Sequence, residues 1–219
     1  MKENAIFLGH LGLGDHIICQ GIVNSLSTLY DEFYVICKPQ NVASVKHMCK
    51  KLRNVFTIEA SDDHQAVIET LLFDGNCIKV GSFGEDWYYM PESFDEVFYR
   101  QVGMNISDSF NWKIEDGDHS KHVLRKLYPE RDFCFVHDDP SRGFHINPNT
   151  ELPIVRNVIQ SETVFDYMPL LREASEIHCM DSSFALMIDR SDIEENLFLH
   201  RSIRKEHGVP TYQKKWKIV

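Results

Sequence analysis

Asp15 closes a glycine-spaced turn, and an aspartate in such a place can take the proton from an attacking hydroxyl. The stretch runs Ala5-Ile-Phe-Leu-Gly-His-Leu-Gly-Leu-Gly-Asp-His16. His10 and His16 flank the carboxylate and are alternative bases, because an unperturbed imidazole titrates near neutrality. Gly9, Gly12 and Gly14 suit a loop whose backbone takes positive φ or lets a ligand approach closely. Asp15 is equally suited to capping the helix that follows, since Asp is a favoured N-cap residue. The spacing is G-x-x-G-x-G, unlike the G-x-G-x-x-G of a dinucleotide fingerprint. Phe33-Tyr-Val-Ile-Cys37 also runs into Lys38-Pro39 and not into an acid. A nicotinamide site is therefore disfavoured.

Two later polar stretches carry further candidates. His137-Asp-Asp-Pro-Ser-Arg-Gly143 contains Arg142, whose planar fork matches a phosphate. The same Asp138-Asp-Pro-Ser composition also builds an ordinary turn. Asp181-Ser-Ser183 opens a helix, where unpaired backbone N–H groups and the helix dipole favour an anion. Ser182 and Ser183 add hydroxyl donors, while Asp181 caps the helix or binds a ribose or sugar hydroxyl. Trp87, Tyr88 and Tyr89 either stack on a sugar or pack beneath their own loop. His137 and Asp138 hint at a metal, but His119 with His122 is the other close pair and supplies no third ligand. Metal-independent chemistry is expected.

These residues need elements to position them. Ala5 to Leu8 reads as a buried strand, then a helix with the stripe Ile18, Ile22, Leu26 and Leu29 and with Gln20, Asn24 and Ser27 opposite. Further strands are expected at Phe33–Cys37, Val55–Ile58 and Cys77–Val80. Helices are expected from Pro39, after Asp62-Asp63 with Ala66, Val67, Leu71 and Leu72 apolar, and over Ser93–Val102. Period is lost over Ile106–Gly117. The pattern then restarts with a short helix near 118–127 and strands at Asp132–Val136, Leu152–Val155, Glu176–Met180 and Leu197–His200. Helices are expected at Val164–Ala174 and from Asp181 to Ile188. Alternating strands and helices make an α/β chain of parallel sheets, and candidate loops 9–16, 137–143 and 180–183 follow strands, where such folds place ligands.

The bulk composition narrows the class. At 219 residues the chain is long enough for one large domain or two small ones. A net charge of −10 argues against a general nucleic-acid or anionic-membrane binder. The basic residues Arg201, Arg204, Lys205, Lys214, Lys215 and Lys217 read as a solvated face. No apolar run approaches a membrane span, and no leader is expected. The six cysteines lack C-x-x-C spacing. Reduced, buried thiols in a cytoplasmic protein fit that pattern.

Gly12-Leu-Gly-Asp15 followed by an apolar helix resembles the G-x-x-G-D or G-x-G-D opening of heptosyltransferase-like glycosyltransferases. Glu176-Ile-His-Cys-Met-Asp-Ser-Ser-Phe-Ala185 is similar to the late strand–D-S-S–helix element of that GT-B class. The resemblance implies two Rossmann-like domains facing across a cleft, here reduced in size, with 1–115 on the acceptor side and 116–219 binding a nucleotide-sugar. It implies an inverting, metal-independent transfer to a glycan or other hydroxyl acceptor, with no cofactor beyond the donor substrate. Asp15, or His10 or His16, would be the base, with Gly12, Gly14 and Trp87 around the acceptor. His137, Asp138, Arg142, Asp181, Ser182 and Ser183 would hold the donor. A non-catalytic nucleotide- or glycan-binding module and a nucleotide-sugar epimerase are the alternatives.

Overall fold

The computed structural model describes residues 3–81, 93–129, 131–194, 196–201 and 209–219, without the side chains of Leu124 and Arg125. Trp87, Tyr88, Tyr89, Arg204 and Lys205 lie outside the described residues. The chain divides into two compact units, Met1–Trp112 with Gly208–Thr211, and Lys113–His207 with Tyr212–Val219.

In the first unit, β1 (Ala5–Leu8), β2 (Phe33–Cys37), β3 (Val55–Glu59) and β4 (Asn76–Lys79) form one parallel sheet in the order β3-β2-β1-β4. Its helices are α1 (Leu13–Leu26), α2 (Val42–Cys49), α3 (Asp63–Leu72) and α4 (Phe94–Gln101). Side chains alternate across a strand. Ile6, Leu8 and Ile36 accordingly share one buried cluster with Leu11, Ala60 and Ala66 of α3. From β1 the chain moves to β2 on one side, whereas β4 lies on the other, so the switch point of the sheet falls between β1 and β4.

α1 departs from the amphipathic stripe. His16 through Val23 are all buried, and Gln20, expected on the polar side, is 2% exposed and hydrogen bonds Asn24 Oδ1 at 2.8 Å. Leu29 instead falls in a 3-10 turn beyond the helix and is 60% exposed. Tight packing explains the all-round burial. Tyr99 Oη donates to the Ile18 carbonyl at 2.7 Å, and a Cβ on Gly21 would lie 2.4 Å from the Asp108 carbonyl. Leu71 and Leu72 of α3 are also exposed, so the buried face of that helix is narrower than expected. The helix starts where Asp62 accepts the Gln65 N–H at 2.9 Å.

The second unit contains α5 (Ser120–Leu127), β5 (Cys134–His137), β6 (Ile154–Arg156), α6 (Met168–Arg172), β7 (Glu176–Met180), α7 (Ser183–Asp189), β8 (Leu197–His200) and β9 (Lys217–Ile218). All strands pair in parallel in the order β6-β5-β7-β8-β9. The expected helix from Val164 is a 3-10 turn (Val164–Tyr167) leading into the shorter α6. β5 connects toward β6 and β7 toward β8, so this switch point lies between β5 and β7. Buried Asp166 holds the entry to the unit, accepting the His119 N–H at 2.9 Å and the Thr163 N–H at 3.0 Å. Gly117 is glycine because a Cβ there would sit 2.0 Å from Asp166 Oδ1.

The segment after Val209 is fixed by buried aspartates. In the first unit, Asp95 accepts from the Thr211 N–H at 2.8 Å and from its hydroxyl at 3.1 Å. In the second, Asp189 accepts from Gln213 N (2.9 Å), Lys214 N (2.9 Å) and Trp216 Nε1 (3.1 Å). β9 follows at once.

Candidate functional site

Within the first unit, the loop after β1 assembles the residues expected for proton transfer. Leu11 anchors it, buried and accepting a hydrogen bond from Asn41 Nδ2 at 3.0 Å. α1 begins three residues earlier than Asp15 would begin it as a cap. Gly12 is the N-cap residue, and Asp15 lies in the first helical turn. The capping alternative is therefore corrected. So is the expectation of left-handed backbone, because Gly12 has φ −71°, and Gly9 and Gly14 are not among the positive-φ glycines. Gly12 leaves room for the Asp15 carboxylate. A Cβ there would meet Asp15 Oδ2 at 2.5 Å, so the carboxylate lies back across the exposed Gly12 backbone.

The flanking histidines behave differently from each other. His10 stacks on Phe98 with ring centroids 5.4 Å apart. His16 is 4% exposed, its Nε2 has no hydrogen-bond partner, and burial pushes its imidazole down to about 4. The expectation of a near-neutral base at His16 is therefore corrected: the low-dielectric surroundings disfavour the protonated ring.

Within the second unit, the other two loops leave the carboxyl ends of neighbouring strands β5 and β7. His137 ends β5 with its ring stacked 4.1 Å from that of Phe184 in α7. Asp138 is buried, paired to Arg156 at 2.5 Å, and accepts the Ile146 N–H at 2.9 Å. Its carboxylate thus ties the ends of β5 and β6 together. Asp139 takes the Ser141 hydroxyl and Arg142 Nε, both at 2.5 Å, which hold its carboxyl below the usual range. Arg142 also lies over the Phe144 ring, 5.5 Å from its centroid. The fork expected to face phosphate is engaged within its own turn, which closes at Gly143 with φ 79°.

After β7, Ser182 is the N-cap residue of α7, and Ser183 is the first helical residue. Asp181 does not cap; its carboxylate accepts the Tyr212 hydroxyl and lies 3.9 Å from Arg201 Nε. Burial and the charge of Asp181 push the Tyr212 phenol well up, so it remains a donor. Tyr212 and Arg201 were missed as site residues. Their only sequence signals were an aromatic in a polar tail and a member of a basic cluster, and Arg201 is not the freely solvated cation expected there.

Buried polar atoms are normally hydrogen-bonded, so exceptions need an explanation. His137 Nδ1, Ser182 Oγ and Arg201 Nε are all buried without a hydrogen-bond partner. They end or follow β5, β7 and β8, three neighbouring strands, at one edge of the sheet. A hydroxyl, a guanidinium N–H and an imidazole nitrogen are thus left without hydrogen-bond partners after β7, β8 and β5.

Burial also pushes His137 down to about 4, against the opposing effects of Asn157, Asp138 and Asp139. His16 and His137 thus both lie below their unfolded value of 6.5. As pH falls through 6.5 the unfolded chain takes up these protons, whereas the folded chain does so only near 4. Stability is therefore full above 6.5 and declines between 6.5 and about 4, at roughly 1.4 kcal/mol per pH unit for each fully differential histidine. Urea midpoints at pH 7.5 and pH 5 check this, and His16→Gln is expected to flatten part of the slope. Equal midpoints at the two pH values would contradict the assignment.

Comparison with known proteins gives no match, whether against family models, curated proteins or solved structures. Among the described residues, no helix is long and apolar enough to cross a membrane. Two α/β units with parallel sheets, each carrying a polar loop at its switch point, are the class of molecule on which a functional reading rests.

Proposed function

We propose that the chain is a reduced GT-B-like glycosyltransferase, moving a sugar from a nucleotide-sugar to a hydroxyl acceptor. The observation that carries the reading is a set of buried atoms without a hydrogen-bond partner: His137 Nδ1 and Ser182 Oγ beside the switch point of the second sheet, and Arg201 Nε after the neighbouring β8. A nucleoside diphosphate supplies acceptor oxygens for hydroxyl and guanidinium donors, and its negative charge grows as the glycosidic bond breaks. Arg201 meets that charge, while Asp181, held by Tyr212, faces ribose or sugar hydroxyls.

The first unit supplies the acceptor side. The Asp15 carboxylate removes the acceptor hydroxyl proton as the oxygen attacks the anomeric carbon. The departing diphosphate takes the electron pair of the broken bond. Gly12 leaves Asp15 the space to do this.

A melting-temperature screen against UDP-, GDP-, ADP-, CMP- and dTDP-sugars tests the reading. A one-site ligand at a hundred times its dissociation constant stabilises by about 2.7 kcal/mol. One nucleotide series is expected to raise the midpoint, with release of free nucleotide when an acceptor is added. No shift with any donor would overturn the donor site. A shift without release would instead mark a nucleotide-binding module, and interconversion of the sugar without acceptor would mark an epimerase.

A further inference from the structure

Across β5 and β7 of the second sheet, three ligand-bearing side chains converge. Cys134 opens β5 and Glu176 opens β7, and the two are directly paired in register. His178 lies two residues beyond Glu176, so the pleat puts it on the same face. The Cys134 thiol, a Glu176 carboxylate oxygen and a His178 ring nitrogen all lie within 4.8 Å of one another.

His178 is 5% exposed, yet its Nε2 has no hydrogen-bond partner. The nearest carboxylate oxygen, from Glu176, is 3.7 Å away, too far for a hydrogen bond. That separation matches two ligands of one ion, because bonds of about 2.0–2.3 Å to a tetrahedral zinc put ligand atoms roughly 3.3–3.7 Å apart. The other nitrogen, Nδ1, lies 2.9 Å from His200 Nε2. With the proton on Nδ1, His200 accepts it and leaves the Nε2 lone pair aimed at the cluster. Metal-bound histidines use their second nitrogen in this way. Phe198 fixes the ring plane, stacked 4.2 Å away and 4° from parallel.

We propose that Cys134, Glu176 and His178 bind one zinc-class divalent ion, with His200 as its positioning residue. Thiolate, carboxylate and imidazole together suit Zn²⁺ better than a hard cation such as Mg²⁺. Three protein ligands leave the fourth tetrahedral position to water. The ion joins β5 to β7 through the first residue of each strand and through His178 in the middle of β7, so its role is structural, and none of its three ligands belongs to the proposed donor site.

The test uses the full chain, stripped with a chelator and titrated with Co²⁺ and then Zn²⁺. One Co²⁺ per chain is expected, with the visible bands of a four-coordinate ion and a near-ultraviolet thiolate-to-cobalt band that Zn²⁺ abolishes. Cys134→Ser is expected to remove the thiolate band, and Cys77→Ser, at the exposed cysteine, to leave it. His200→Gln is expected to keep the band but weaken affinity by about 10–100-fold, as loss of an outer-shell partner does. Glu176 is partly exposed, so Glu176→Gln leaves folding intact and is expected to lower affinity at least as much, with circular dichroism confirming the fold. Absence of a thiolate band in the unmodified chain would overturn the proposal. So would a band that survives in Cys134→Ser, or an affinity unchanged in folded Glu176→Gln.

Discussion

Replacing Asp15 with Asn is expected to remove sugar transfer while leaving donor binding intact. The amide keeps the shape of the side chain lying across Gly12 but cannot accept the proton of an attacking hydroxyl. Loss of a general base typically costs about 10²–10⁴-fold in rate. His16 does not substitute from where it stands, because its ring is buried and closed off from an acceptor hydroxyl. Donor affinity should be unchanged, since the donor contacts are proposed on the second unit. Release of free nucleotide measures turnover, and the melting shift with donor measures binding. A variant with full turnover would move the base to His10, stacked on Phe98.

Asp189→Ala is expected to produce the largest loss of stability. A carboxylate at the last residue of α7 faces the negative end of the helix dipole, an unfavourable place for an acid. It persists there because Gln213 N, Lys214 N and Trp216 Nε1 donate to it. Arg190, its side chain also fully buried, lies 4.0 Å away. Alanine leaves those N–H groups without this acceptor and takes a counter-charge from beside a buried guanidinium. A cost of about 3–5 kcal/mol is expected. Asp189→Asn retains an uncharged acceptor and should cost less, nearer 1 kcal/mol per weakened bond. Urea midpoints measure both variants, and a red shift of Trp216 emission reports release of the tail. Equal midpoints for Ala and unmodified chains would refute the assignment.

Elements with a strong local signature were legible in the sequence. β1, β2, β7 and β8 occupy the stretches expected, because each is a short apolar or alternating run bounded by turn residues. α1 was legible as a helix but not in its burial, since Gln20 and Ser27 are covered by contacts distant in sequence. β9 left no signature: Lys217–Ile218 is a strand because the tail is already fixed by Asp189 and laid beside β8.

The candidate site divides along the same line. The loop between β1 and α1 is a local motif and could be placed directly, but its backbone conformation and the helix start at Gly12 could not. The engagement of Asp138 by Arg156, of Asp181 by Tyr212, and of Arg142 within its own turn depends on what tertiary structure brings near. The trio Cys134, Glu176 and His178 was missed for a related reason. Glu-x-His on a strand is informative only when the neighbouring strand is known to put a cysteine beside it.

The aspartate that receives Thr211 sets an order on biosynthesis. Asp95 is made 116 residues before the segment that satisfies it. Throughout that interval the carboxylate lacks the Thr211 N–H and hydroxyl, two of its donors. Multidomain chains ordinarily complete their amino-terminal part first as it leaves the ribosome. Here the closing segment runs from Thr211 directly to the Asp189 ligands, Gln213 and Lys214. The two halves therefore acquire their last buried hydrogen bonds together, late in translation.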